Sequence, residues 1–200
     1  MDTTLLTLFV LTFSPAVLLP GPNAAFAVAQ TLKYGARKSI FAALGFMTAT
    51  GIHVLAVLSG LGYLAQKHLD LFIALKWVGV IYLLCLAIKM FTVLGAAIDA
   101  EHKDLSPARM FTHAVFISCT NPKAITVSII LFPLFINMAK PYLTQAISIG
   151  GIAMIISFCV YYGYVLIAQK AGTFFKRATV LNKFVGSLYV GVAGALAASG

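Results

Sequence analysis

SIFAALGFMTATGIHVLAVLSGLGYLAQ, residues 39–66, contains no Lys, Arg, Asp or Glu, and its one histidine, His53, stands near the middle. A barrel strand would show about ten residues of alternating polarity. This run is instead continuously apolar and long enough, at about 1.5 Å per residue, to cross a bilayer core of about 30 Å with some tilt. It reads as a transmembrane helix.

Runs of the same kind fill the chain, whose 200 residues are 61% hydrophobic and 10% charged, with a mean hydropathy of +0.99. A soluble domain carries roughly 25% charged residues, so that class is excluded. Six membrane helices of about 20 residues take about 120. One membrane domain, 1–200, is therefore the expected size, with no room for a separate soluble catalytic domain. Met1, Asp2, Thr3 and Thr4 make no positive leader region, so the first run is expected to be retained.

Outward from 39–66 the pattern predicts an all-α integral membrane protein of six transmembrane helices. The first run, 3–19, stops at Pro20-Gly21-Pro22-Asn23, where two prolines remove donors, and should resume as a short helix toward Tyr34. The third run, 71–94, carries Lys76 and Lys89 near its ends, placed to snorkel, with Trp77 and Tyr82 as interface anchors. The fourth, 110–138, is interrupted by Asn121-Pro122-Lys123 and is expected to bend again near Pro133. The fifth, 142–169, has no formal charge, and the sixth runs from 184 to the C-terminus. Between the halves lies a polar loop, 96–109. Each half, 1–95 and 110–200, has three runs and opens with a broken helix; three is odd, so the halves would be inverted repeats, an architecture of secondary transporters.

The net charge of +9 and pI near 9.6 do not indicate a nucleic-acid partner, because the basic residues stand singly or in small groups between apolar runs. With six crossings, Lys33, Arg37, Lys38, Lys89, Lys103, Arg109, Lys170, Lys176, Arg177 and Lys183 fall on one side, ten of the 14 Lys and Arg. Lys67, Lys76 and Lys140 fall on the other. The rich side should be cytoplasmic and both termini outward.

A proline inside a membrane helix frees carbonyls that lipid cannot satisfy, so the two breaks must meet protein, water or solute. The competing reading is a structural kink at each. Lys123 is the sharpest candidate, since an ammonium deep in a span costs at least about 2.5 kcal/mol and seeks a cavity or partner such as a substrate carboxylate. Alternatively it snorkels to an interface. His53 either carries a proton for coupling or only hydrogen-bonds a neighbouring helix, and His113 reads as interfacial. No Asp or Glu lies in any run, so carboxylate-based ion coupling has no evident site. No catalytic residues are assigned, because Ser14, Ser59, Ser118, Ser128 and Ser157 have no visible acid and base team. Cys85, Cys119 and Cys159 show neither a C-x-x-C pair nor metal-like spacing and read as small core residues; no metal or cofactor is implied. Gly45, Ala49, Gly51, Gly60, Gly62, Gly186, Gly191 and Gly194 would let helices approach closely, within a protomer or across a homodimer.

Several blocks stand in order along the chain: Pro20-Gly21-Pro22-Asn23, then Gly35, Arg37 and Gly45, LKWVGVIYLLCLAIKM at 75–90, TNPKAITVSIILFPLFI at 120–136 and LNKFVGSLYVGVAGALA at 181–197. By these blocks the chain resembles the LysE/RhtB family of bacterial inner-membrane amino-acid exporters. It implies a carrier that expels homoserine, homoserine lactone, threonine, leucine or basic amino acids, driven by the proton motive force. The matching positions Pro20, Gly21, Pro22, Asn23, Asn121, Pro122 and Lys123 take the family's motif status, and a solute path through the two breaks is the role expected of them. Some relatives have glycine where Ala49 stands and an aspartate where Ser157 stands. Lacking that carboxylate, this chain is expected to prefer a neutral zwitterion or lactone over a strongly basic substrate. The small-molecule partner and the lipid bilayer are thus the expected contacts. Against the exporter stand a passive channel, a membrane redox protein without its cysteine pair, and an intramembrane enzyme without a nucleophile and base.

Overall fold

The computed structural model describes residues 3–61, 105–136 and 140–172, with the single helical positions 77, 81, 84, 85, 88, 183, 187, 190, 191 and 194. The third and sixth runs and most of the loop 96–109 therefore lie outside the described residues.

Proline decides where the apolar runs stop being single helices. Helix α1 (Thr3–Leu18) ends before Pro20, and α2 (Pro22–Tyr34) starts on Pro22, at a position where the missing N–H costs nothing. The two meet at 58°. Gly35, with φ +80°, turns the chain directly into α3 (Ala36–Ala56), which closes in a π turn at Val57–Leu61 where Gly60 takes φ +95°. Helix α4 (Pro107–Cys119) is capped by Ser106, whose hydroxyl accepts from the Arg109 N–H. Helix α5 (Pro122–Leu134) follows at 64°, and α6 (Tyr142–Gly172) is one long helix. The expected bend at Pro133 is instead an ending: Pro133 sits in the last turn, and the Phe135 and Ile136 amides close onto the Phe132 and Pro133 carbonyls. Among the described residues there is no strand. Residues 36–60 and 142–171 are each long and apolar enough to cross a membrane, and so is each bent pair taken as one span.

The two bent pairs run antiparallel. Phe9, the earlier of two rings in the middle of α1, packs on Phe135 and Phe132 at the far end of α5, and Phe13, the later, packs on Phe132, with ring centroids 5.3–6.1 Å apart. Meanwhile α2 packs against α4, and α3 lies between α4 and α6. Because lipid is as apolar as these side chains, close packing rather than water exclusion must hold the helices together. The α3–α4 contact shows this most directly. A Cβ on Gly45 would stand 2.6 Å from the Phe111 carbonyl oxygen and 2.7 Å from the Ala114 Cβ. Ala49 is fully buried and Gly51 faces the Met154 sulfur, so these small residues serve contacts within the protomer. Leu11, Leu55, Leu143, Ile147, Ile155 and Ile167 are exposed, the apolar exterior that a bilayer accepts. Cys85 and Cys159 belong to that exterior and Cys119 is half-buried, which corrects their reading as core residues; lipid takes up a thiol as readily as a core does.

Candidate functional site

The helix breaks leave backbone groups without helical partners, and side chains from distant elements converge on them. At the end of α1, the Leu18 carbonyl accepts the Tyr164 hydroxyl at 2.6 Å, and the Leu19 carbonyl accepts the Lys123 ammonium. The aliphatic stem of Lys123 crosses Gly21, where an added Cβ would meet its Cδ at 3.5 Å. Lysine 123 thus bridges from the start of α5 to the break in the other bent pair.

Two asparagines join the breaks directly. Asn121 caps α5, its Oδ1 accepting from the Lys123 N–H at 3.1 Å, while its Nδ2 donates to Asn23 Oδ1 at 3.0 Å. The Asn23 amide in turn donates to Ser118 Oγ at 3.0 Å and to the Tyr161 hydroxyl at 3.2 Å. All four residues are buried. In a low-dielectric interior each unpaired polar group would be costly, so a network of this kind ties α2, α4, α5 and α6 into one arrangement.

These groups face a pocket with about 460 Å³ of empty space, its mouth included. Gly21, Asn23 and Ala24 line it from the start of α2, and Asn121, Lys123 and Ala124 from the start of α5. Thr50 and His53 of α3, Ser118 of α4, Ser128 of α5 and Ser157 and Tyr161 of α6 complete the polar lining among the described residues. No side chain caps α2, whereas Asn121 caps α5. Two helix N-termini therefore present their positive ends to the same space, beside an ammonium. Thr50 Oγ1 lies 2.9 Å from Ser157 Oγ and 3.0 Å from the Phe46 carbonyl oxygen. His53 is 8% exposed, and its Nε2 has no hydrogen-bond partner.

Of the residues singled out from sequence, Gly21, Asn23, His53, Asn121 and Lys123 come together around the pocket. Pro20 is exposed at the break, and Pro22 and Pro122 are buried without lining the pocket; the prolines make the breaks, and their neighbours furnish the polar groups. Thr50 and Tyr161 were missed, Ser118 and Ser128 were considered only as nucleophiles, and Ser157 was considered also as the place where some relatives carry an aspartate. A signal existed in the spacing: Thr50 and His53, like Ser157 and Tyr161, stand three or four residues apart, which puts each pair on one helix face. Among the described residues no group of three or more His, Cys, Asp or Glu could hold a metal ion.

Fold and site together define a multi-pass helical membrane protein with a cationic polar pocket where two broken helices meet. The chain belongs to the LysE type translocator family, which it matches over residues 15–200. It is a transporter and not an enzyme. A homoserine/homoserine lactone efflux protein of Salmonella typhimurium is 34% identical over 195 residues, covering 96% of this chain and 94% of the relative. A leucine efflux protein of Salmonella choleraesuis is 30% identical over 189 residues, covering 90% and 89%. An uncharacterized membrane protein of Vibrio cholerae is 30% identical over 179 residues, covering 87% of each. No solved structure matches the chain.

Proposed function

We propose that the protein is a secondary transporter that exports homoserine, homoserine lactone, threonine or a similar neutral amino acid across a bacterial inner membrane, coupled to the proton motive force. The observation that carries this reading is the convergence of the α2 and α5 N-termini and the Lys123 ammonium on one pocket. Positive helix ends and an ammonium favour an anion, and a carboxylate is the anion every zwitterionic amino acid brings. The efflux proteins among its relatives, named for homoserine and for leucine, support the same substrate class.

The local chemistry suggests how a zwitterion is held. Its carboxylate takes the first-turn amides of α2, which no side chain caps, and draws Lys123 away from the Leu19 carbonyl. That carbonyl, at the negative end of α1, then accepts the substrate ammonium. One internal contact is exchanged for two with the solute, and no protein carboxylate takes part. A lactone offers only neutral carbonyl oxygens to the amides and should bind this end more weakly. A second cationic group on the substrate would find no counter-charge among the described residues, where no Asp or Glu lines the pocket.

Alternating access is assigned to two inverted repeats, 1–95 and 110–200, rocking about the pocket. The antiparallel course of the bent pairs supports this arrangement. His53 is the proposed proton-coupling group, being the one imidazole that lines the pocket among the described residues. The excess of basic residues on the loops assigned to one side supports a cytoplasmic placement of that side, with both termini periplasmic.

The test is efflux of a panel of labelled amino acids and homoserine lactone from cells overproducing the chain, with and without a protonophore. Saturable efflux of a small neutral subset, lost on collapse of the proton gradient, is expected. The Lys123→Met variant should reach the membrane and export nothing. Unsaturable efflux indifferent to the gradient would replace the carrier by a channel, and absence of efflux would overturn the reading.

A further inference from the structure

The pocket has a second polar end that contact with a carboxylate and an ammonium leaves unused. Helices α3 and α6 are antiparallel here: the Phe46 and Tyr161 rings meet at 4.6 Å, and one turn further along, Thr50 meets Ser157. Tyr161 is the residue bonded to Asn23, so it marks the level of the amide end. From Phe46 to His53 the axis of α3 advances about 10 Å, and Thr50 lies about 6 Å along it. The hydroxyl pair and the imidazole therefore lie one to two turns from the amides, about the reach of a short side chain from its own carboxylate.

The hydrogen-bond capacity of this end is specific. Thr50 has one hydroxyl proton and two acceptors in range, the Phe46 carbonyl at 3.0 Å and Ser157 Oγ at 2.9 Å. When Thr50 donates to Phe46, Ser157 donates to Thr50; when Thr50 donates to Ser157, the Ser157 proton is free to turn into the pocket. The pair can thus present an acceptor or a donor. Beside it, His53 Nε2 is buried, lines the pocket and lacks a partner among the described residues, which leaves this ring nitrogen ready for a solute group. An unpaired buried polar atom is costly, a penalty that a hydroxyl-bearing solute relieves and an aliphatic one does not.

We propose that Thr50, His53 and Ser157 form the side-chain subsite of the transporter, selecting short amino acids that carry a side-chain hydroxyl over aliphatic amino acids of the same shape. This rests on the export reading above and on the carboxylate lying at the Lys123 end. Homoserine and norvaline are the discriminating pair, because they differ by a hydroxyl in place of a methyl.

The experiment is counterflow in proteoliposomes of the full chain, with labelled homoserine or norvaline and no ion gradient, so that coupling does not enter. The unmodified protein should prefer homoserine about fivefold or more, the equivalent of one net hydrogen bond. Thr50→Val and Ser157→Ala should each bring the two rates within about twofold, while Thr50→Ser, which keeps the hydroxyl, preserves the preference. Size-exclusion profiles in detergent identify any variant that fails to fold, and Thr50→Ser then carries the comparison with Ser157→Ala. Transport of both amino acids with the same preference in every variant, or with none in the unmodified protein, would overturn the subsite alone. Transport of neither by the unmodified protein would overturn the export reading and the subsite with it.

Discussion

Replacing Gly45 by alanine adds a single methyl at the tightest point between α3 and α4. The added carbon would lie 2.6 Å from the Phe111 carbonyl oxygen and 2.7 Å from the Ala114 Cβ, where ordinary contact begins at 3.4 Å. Neither neighbour is the end of a flexible side chain, so the helices must separate by several tenths of an ångström. Overpacking of this kind costs about 1–3 kcal/mol, and two rigid neighbours place it near the upper end. Helix propensity offsets about 0.8–1.0 kcal/mol, because alanine is the better helix former. The net loss is then about 2 kcal/mol, or about 4–8 °C of melting temperature for a chain of this size. Gly151→Ala is the internal control: its added carbon has nothing within 4 Å among the described residues, so only the propensity gain remains and its melting point should rise slightly. Thermal unfolding of both variants in one detergent, followed by intrinsic fluorescence, makes the comparison. Transport should fall as well, since α3 carries Thr50 and His53 while α4 carries Ser118 and leads into Asn121. A Gly45→Ala protein that melts with or above Gly151→Ala would refute the packing argument.

Further outcomes follow from the site and its supports. Asn23→Leu leaves the Asn121 Nδ2 without its acceptor, and Asn121→Leu leaves Asn23 Oδ1 without its donor; each should cost about 1–3 kcal/mol. The double variant should cost less than the sum of the two, by about 0.6 kcal/mol or more, in a thermal double-mutant cycle. Gly35→Ala forces an L side chain into φ +80°, and a loss of about 1–3 kcal/mol is expected in the same unfolding measurement. Gln169→Leu removes the side-chain oxygen that accepts the Ala36 N–H at 2.8 Å, and should lower the melting point by the equivalent of about 1 kcal/mol, while Gln169→Glu retains the acceptor and should not.

Much of the architecture was legible because the signals are local. Proline at 22 and 122 has no N–H to give and fixes its own φ, so breaks at those places follow from the residue itself and appear at 58° and 64°. The long apolar runs at 39–66 and 142–169 announce helices by length alone, though α3 begins earlier, at Ala36, because Gly35 supplies the turn and Gln169 the missing acceptor. The expected bend at Pro133 became a helix end. A proline in a last turn interrupts little, and the sequence does not say how far the helix continues beyond it.

The site was only partly legible. Asn23, Asn121, Lys123 and His53 were conspicuous as polar residues in apolar surroundings, a property of composition. Tyr161, Thr50, Ser118 and Ser157 were not, since hydroxyls in a span are common and acquire meaning only through their partners. Which group meets which is a matter of contacts spanning up to 146 residues of chain, such as Leu18 with Tyr164.

By itself, then, the sequence determined that the chain is helical and membrane-embedded, where its helices break, and which polar residues the bilayer would not tolerate alone. These follow from hydropathy, run length and the covalent geometry of proline, each acting over a few residues. Only the tertiary structure decided that the two breaks face one another, that Lys123 rests on the Leu19 carbonyl, and that Gly45 and Gly51 serve contacts within the protomer. Those outcomes depend on how helices far apart in the chain pack at sub-ångström tolerance, information that no single stretch of sequence contains.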